Sequence, residues 1–255
     1  MTAPGTPRTV VIIPARFGST RLPGKPLAEI AGKPMIQHVY EQAVRACLVH
    51  EVIVATDDDR IVAAVKKFGG HALLTPVNAP SGSDRIAHVA SHLPDAEIIV
   101  NVQGDEPFIP PAMIDEAIRP FHADPLVRVG TLARRIEDIG DLQDPAVVKV
   151  VLGRNGNALY FSRSAIPYGR DITPTELLAH YPVYRHIGLY VYRREFLLHY
   201  TALPQTPLEQ SEKLEQLRIL EHGYPIRVVV TTHHSIAVDT PADLERARAL
   251  AGTPQ

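Results

Sequence analysis

One segment limits the folds open to this chain more than any other: Val10-Val11-Ile12-Ile13-Pro14-Ala15-Arg16-Phe17-Gly18-Ser19-Thr20-Arg21-Leu22-Pro23-Gly24-Lys25-Pro26. The β-branched run Val10 to Ile13 reads as a strand buried on both faces, as the first strand of a parallel sheet is. Pro14 is expected to end it. The loop that follows carries Gly18, Gly24, two hydroxyls, Arg16, Arg21 and Lys25, and it lies where open α/β sheets bind ligands, beyond the carboxyl end of a strand. Its backbone N–H groups and three cations suit the oxygens of a phosphate. A Walker loop is excluded on chemistry. Five residues separate Gly18 from Gly24 instead of four, and Pro26 after Lys25 offers neither a hydroxyl for magnesium nor an N–H for phosphate. A surface turn of solvated charges is the plain alternative, but a basic Gly/Pro loop directly after a buried strand exceeds what a neutral connection needs.

The next segments repeat a strand–helix rhythm. Met35, Ile36, Val39, Ala43, Val44 and Cys47 recur at helical spacing behind Pro34, and Glu51 to Thr56 is the second strand. Asp57, Asp58 and Asp59 open a helix at its positive end, and Gly69-Gly70 stops it. A metal cluster is the rival reading of that acidic triplet. His71 to Thr75 makes the third strand, and Ser81-Gly82-Ser83 leads into a helix from about Asp84 to Leu93. A hydroxyl-rich helix start can bond a base or a phosphate. Three βα units with short connections predict an α/β fold with a doubly wound, mostly parallel sheet.

Glu97 to Val102 is another buried strand, and it ends in Gln103-Gly104-Asp105-Glu106-Pro107. In a parallel sheet that end shares an edge with the loop after Pro14. Asp105 is therefore placed to hold magnesium, which takes one or two protein carboxylates together with phosphate oxygens and water. Capping of the helix after Pro110-Pro111 by Asp105 or Glu106 is the competing role. Past about Leu126 the rhythm changes: Val127 to Leu132, Val147 to Leu152 and Asn157 to Phe161 are strand-like, with the turn Gly153-Arg154-Asn155-Gly156 between the last two. This predicts a mixed sheet and an antiparallel subdomain for a second substrate or a dimer contact. Arg163, His186 and Tyr190 fall near strand ends, where they suit an anionic, hydroxylated ligand or serve structure alone. Leu208 to Glu221 reads as one helix with Leu214, Leu217 and Leu220 buried. Glu215 and Gln216 lie at the edge of that stripe, within reach of a sugar hydroxyl or facing water. Ile226 to Thr231 is a strand, and Ser235 to Val238 a short one. A helix then starts with Thr240 as N-cap, Pro241 first and Asp243 third, which leaves Asp239 as the candidate second carboxylate for the metal.

Composition removes several classes. The chain has 255 residues, 45% hydrophobic and 21% charged, so it can build a sizeable core. Its net charge of −2 and lack of a long basic run argue against nucleic acid. Val10 to Ile13 is too short to cross a membrane. Residues 1–8 read as a disordered tail and 9–255 as one domain, with a subdomain at about 145–200. The single cysteine, Cys47, is expected in the core of the first helix and fits a reducing cytoplasm.

Taken together, Pro14-Ala15-Arg16 through Leu27, Asn101-Val102-Gln103-Gly104-Asp105-Glu106-Pro107 and Val238-Asp239-Thr240-Pro241 strongly resemble the 3-deoxy-manno-octulosonate cytidylyltransferases, the CMP-Kdo synthetases. The likeness is colinear from about Val10 to Ala249 and includes Ala158-Leu159-Tyr160-Phe161-Ser162-Arg163 and Leu214-Glu215-Gln216-Leu217-Arg218. It implies a Rossmann-like nucleotide-diphospho-sugar transferase fold with a small antiparallel subdomain, and CTP plus Kdo giving CMP-Kdo and pyrophosphate for lipopolysaccharide. Magnesium as cofactor and a cytoplasmic homodimer are implied as well. By the same resemblance Pro14, Ala15, Arg16, Gly18, Arg21 and Lys25 serve the nucleotide, Arg16 and Lys25 on the triphosphate, and Ser81 and Gly82 the cytosine. Asp105 and Asp239 hold magnesium, while Gln103, Arg163, His186, Tyr190, Glu215 and Gln216 form the sugar pocket. Ser83-Asp84 stands where relatives often carry Thr-Glu, a conservative departure. A synthetase for another sugar acid, such as 8-amino Kdo or sialic acid, and a non-catalytic nucleotide sensor are the alternatives. The loop Arg21-Leu22-Pro23-Gly24-Lys25-Pro26 resembles the Kdo branch, and a sensor has no use for paired carboxylates on separate strand ends.

Overall fold

A computed structural model describes residues 6–18 and 22–252. Strand β1 (Thr9–Ala15) lies between β4 (Glu51–Thr56) and β6 (Ile98–Asn101), parallel to both, and a β2–β3 hairpin (Glu29–Ile30, Lys33–Pro34) falls between β1 and β4 in the chain. Its side chains alternate strictly: Val10 and Ile12 enter the core on one face, Val11, Ile13 and Ala15 the core on the other. Val10 to Ile13 are each 0% exposed, at roughly 1.5–3 kcal/mol of burial apiece. The strand does not stop at Pro14, as expected, but runs one residue beyond it. Pairing with β6 ends at Ile12, so the missing N–H of Pro14 costs no ladder bond on that side, while its register with Ala55 continues.

Among the described residues the sheet has nine strands, seven of them in the order β11, β7, β10, β6, β1, β4, β5 and two off that path, with β5 at His71–Leu74, β7 at Val129–Arg135, β10 at Tyr184–Arg193 and β11 at Arg227–Val230. Strand β10 runs antiparallel between β6 and β7, which makes the sheet mixed. The hairpin of β8 (Lys149–Leu152) and β9 (Ala158–Ser162) extends from β10, as the turn at 153–156 predicted. Helices α1 (Met35–Val44), α2 (Asp59–Lys67) and α4 (Pro111–Ala123) contribute to one core, and α3 (Gly82–Ser91), α7 (Arg194–Thr201) and α9 (Gln216–Glu221) to the other. A minor core of Ile136, Leu142, Leu177, Leu178 and Val183 joins α5 (Ile139–Gln143) to α6 (Pro174–His180).

Several local expectations are corrected. Helix α1 ends at Val44, Cys47 lies past it and is exposed, and its N–H donates to the Asp115 carboxylate at 3.0 Å. Helix α3 starts at Gly82, two residues before the expected Asp84, because Ser81 accepts from the Asp84 N–H as its cap. The expected helix 208–221 is two: α8 (Pro207–Glu212) and α9 are separated by Lys213 in the left-handed region at φ 54°. Residues 235–238 form no strand. Helix α10 (Pro241–Ala251) has the predicted capping box of Thr240 and Asp243. Met1 to Gly5 lie outside the described residues, but Arg8, at the end of the expected tail, pairs with Glu51 at 2.8 Å. No helix among the described residues is long and apolar enough to cross a membrane.

Candidate active site

The carboxyl ends of β1 and β6 share one edge, and three segments far apart in sequence meet there. Lys25 follows Gly24, which sits at φ 68° and donates its N–H to the Phe17 carbonyl at 3.0 Å. Asp105 follows Gly104, whose missing side chain is a requirement of packing: a Cβ there would stand 2.7 Å from the Pro14 carbonyl oxygen. Asp239 precedes α10, and the Val238 N–H donates to the Asp105 carbonyl at 2.8 Å. The result is a compact ion cluster. Lys25 Nζ lies 2.7 Å from Asp105 Oδ2 and 3.0 Å from Asp239 Oδ1, across 80 and 214 residues of chain.

Burial opposes the charge on Lys25, but the two carboxylates outweigh it and hold its pKa above the ordinary value. Two carboxylates sharing one cation are also a donor set that suits magnesium completed by phosphate oxygens and water. Among the described residues no three His, Cys, Asp or Glu side chains gather into an all-protein cage. Glu106 does not take the capping role weighed for it. Helix α4 has Pro110 at its N-cap, and the buried Glu106 carboxylate accepts from Ser235 Oγ at 2.8 Å instead. Burial pushes the Glu106 pKa up to about 7, with Ser235 opposing.

Beside the loop after β1, Pro14 and Gly82 approach each other and Arg16 donates to the Ala79 carbonyl at 3.1 Å, so the loops after β1 and β5 face one another. Arg16 and Gly18 are exposed, and Ala15 is buried in the strand. Ser81 spends its hydroxyl on Asp84 Oδ2 at 2.8 Å. Arg21, with Ser19 and Thr20 of the expected loop, lies outside the described residues.

A cavity of about 300 Å³ opens beside this edge, and Gln103, His186, Tyr190, Glu215 and Gln216 all line it. Three of them are held from behind. Gln103 donates its amide to Gly188 O at 3.1 Å and Asn101 Oδ1 at 3.2 Å, Glu215 Oε2 accepts from Ser83 at 2.7 Å, and His186 Nε2 lies 2.9 Å from Thr131 Oγ1. Burial pushes the His186 pKa down to about 3, so the ring is neutral. Tyr190, Tyr192 and Tyr200 stack as a wall. The Tyr190 hydroxyl is buried without a hydrogen-bond partner among the described residues, an orphan donor that a polar ligand would satisfy. Arg163 is the exception. It does not line the cavity; its guanidinium bonds the carbonyls of Glu212 at 2.8 Å and Pro145 at 3.1 Å and braces the turn at Lys213. The sequence reading passed over Thr131, Tyr192 and Lys213, which carry no local motif, and gave Asn101, at the head of the 101–107 motif, no role of its own. Ser83 had a signal, its place in the Ser81-Gly82-Ser83 turn, but only the fold turns it toward Glu215.

A lysine held between paired carboxylates beside a polar cavity, at one edge of a mixed Rossmann-like sheet, fits a nucleotidyltransferase. The cytidylyltransferase family matches residues 10–231. The 3-deoxy-manno-octulosonate cytidylyltransferase of Geobacter sulfurreducens is 58% identical over 244 residues, 92% of this chain and 96% of that protein. The enzyme of the same name from Geobacter metallireducens is 56% identical over 94% of this chain and 96% of its own. A solved CMP:2-keto-3-deoxy-manno-octonic acid synthetase complexed with CTP superposes with a TM-score of 0.89 at 45% identity, covering 95% of this chain and 98% of that one. The chain belongs to the 3-deoxy-manno-octulosonate cytidylyltransferase family.

Proposed function

We propose that this protein transfers CMP from CTP to the anomeric hydroxyl of 3-deoxy-D-manno-octulosonate (Kdo), releasing CMP-Kdo and pyrophosphate for lipopolysaccharide synthesis. The observation that carries the reading is the junction of Lys25 with Asp105 and Asp239 at 2.7 and 3.0 Å, beside a cavity whose lining is polar and fixed. In this reading Pro14, Ala15, Gly18, Arg21, Ser81 and Gly82 contact the nucleotide, and Arg16 and Lys25 take the triphosphate. The cavity residues Gln103, His186, Tyr190, Glu215 and Gln216 hold the sugar acid, with Arg163 behind its rim.

Asp105 and Asp239 would hold magnesium, which when bound would supply positive charge to the phosphates and ease ionisation of the sugar hydroxyl. The chain's own work is positioning. Lys25 releases the carboxylates and turns its ammonium to the phosphates, while the cavity presents the sugar hydroxyl in line with the α-phosphate and excludes water. No covalent nucleophile is needed. No single protein base is required either, and the neutral His186 serves binding and not proton transfer.

A cytoplasmic homodimer completes the reading. The exposed Leu159, Tyr168 and Tyr181, all within the expected subdomain at about 145–200, supply apolar surface for a dimer contact. The test is pyrophosphate release with CTP and magnesium, run in parallel with Kdo, 8-amino Kdo and N-acetylneuraminate, for the wild type and Asp105→Asn. Turnover with Kdo that is lost in the variant supports the reading; silence with all three sugars refutes it. Light scattering reads the oligomeric state.

A further inference from the structure

We propose that Thr131 is a positioning residue that fixes His186 as the Nε2–H tautomer, so that Nδ1 is offered to the cavity as an acceptor for a ligand hydroxyl.

The geometry starts at an irregularity in the sheet. Register between β7 and β10 pairs Ile187 with Leu132 and then jumps to Tyr190 with Thr131, leaving Gly188 and Leu189 as extra residues in β10. A bulge leaves carbonyls without ladder partners. The Thr131 hydroxyl, 1% exposed, takes them up: Oγ1 lies 3.0 Å from Ile187 O and 2.8 Å from Leu189 O. A hydroxyl has one proton, and both carbonyls accept only. With that proton committed, Oγ1 has only a lone pair left for His186 Nε2 at 2.9 Å, and the ring must bring the hydrogen. In a neutral imidazole the other nitrogen then carries a lone pair. No hydrogen bond to Nδ1 occurs among the described residues, and His186 lines the cavity.

The same logic runs through two neighbours. Gln103 has its amide hydrogens on Gly188 O and Asn101 Oδ1, which turns its carbonyl oxygen outward, and Glu215 is an acceptor by nature. Three acceptors on one wall favour a ligand that presents hydrogen-bond donors there, such as hydroxyls, over one that presents carbonyls or carboxylates in those places. Thr131 thus contributes to the choice of sugar acid without touching it, a role that rests on the proposed transfer to Kdo.

The test is an imidazole 15N–1H correlation spectrum of the free enzyme at neutral pH, with the His186 signals identified by their loss in His186→Gln. The expected result is a protonated Nε2 and an unprotonated Nδ1. A protonated Nδ1 overturns the proposal. Thr131→Val should give a tautomer mixture and raise KM for Kdo about tenfold, the effect of one lost hydrogen bond, with KM for CTP unchanged. Thr131→Ser, which keeps the hydroxyl, should recover most of that loss. An unchanged KM for Kdo in a folded Thr131→Val overturns the specificity role. Should that variant not fold, the wild-type spectrum still decides the tautomer. Absence of turnover in the wild type overturns the proposed reaction, whereas the spectrum reports on the tautomer alone.

Discussion

Ser235 donates a 2.8 Å hydrogen bond to the buried carboxylate of Glu106, and with it the segment that carries Asp239 is tied to the loop that carries Asp105. The Val238 N–H on the Asp105 carbonyl is the second tie. Ser235→Ala removes the first and leaves the second. The expected outcome is a several-fold rise in the magnesium concentration for half-maximal rate, with a smaller fall in kcat. Calorimetric titration of the CTP-loaded protein with Mn2+ should show the same weakening, and equal affinity in the two proteins would count against the tie.

Lys25 competes with any cation for Asp105 and Asp239. Lys25→Met removes the competitor and leaves two carboxylates in mutual repulsion, so the free protein should bind Mn2+ more tightly than wild type. Turnover should nevertheless fall by at least about a hundredfold, the scale of losing one preorganised charge in a site of this kind. Weaker Mn2+ binding in the variant would show that Lys25 organises the carboxylates and does not merely occupy them.

His186 makes the folded state sensitive to acid. Its folded pKa, about 3, lies below the ordinary imidazole value of 6.5, so the unfolded chain binds the extra proton. The stabilisation is complete above pH 6.5 and declines as pH falls toward the folded value. Between pH 6.5 and pH 5 it is worth about 2 kcal/mol. Urea unfolding at pH 7.5 and pH 5.0 should show His186→Gln losing less stability than wild type by about that amount. Equal losses would mean that His186 is not held neutral by burial.

Arg218 and Glu209 form a buried pair, with contacts of 2.8 and 2.5 Å, that clamps α8 to α9 around the left-handed Lys213. Glu209→Gln leaves the guanidinium short of its counter-charge and should lower unfolding free energy by about 3 kcal/mol. Since the clamp holds the turn leading to Glu215 and Gln216, KM for Kdo should rise while KM for CTP stays. A shift confined to CTP would contradict this placement.

Much of the frame was legible in the residues. Val10 to Ile13 is a doubly buried strand because β-branched apolar side chains fill both faces of a pleat, and Thr240-Pro241-Ala242-Asp243 opens a helix because its side chains satisfy the first free N–H groups. Where reading failed, a local rule met a tertiary condition. Pro14 continues a strand because β6 has already diverged. Cys47 leaves the core because α1 ends at Val44, and the run 208–221 breaks because the Lys213 backbone turns left-handed between two short helices.

The sequence by itself determined the βα order, the cation-rich loop after the first strand, the placing of Asp105 after a strand and of Asp239 before a helix, and the helix caps, since each depends on groups within a few residues of one another. Tertiary structure alone decided that one ammonium joins Asp105 to Asp239, that Glu106 turns to Ser235, that Arg163 braces the rim from outside the cavity, and that Thr131 stands behind His186. Those contacts span 80, 214, 129, 49 and 55 residues. They depend on sheet order and strand register, which no local preference encodes, because register is chosen by the burial of whole faces at once.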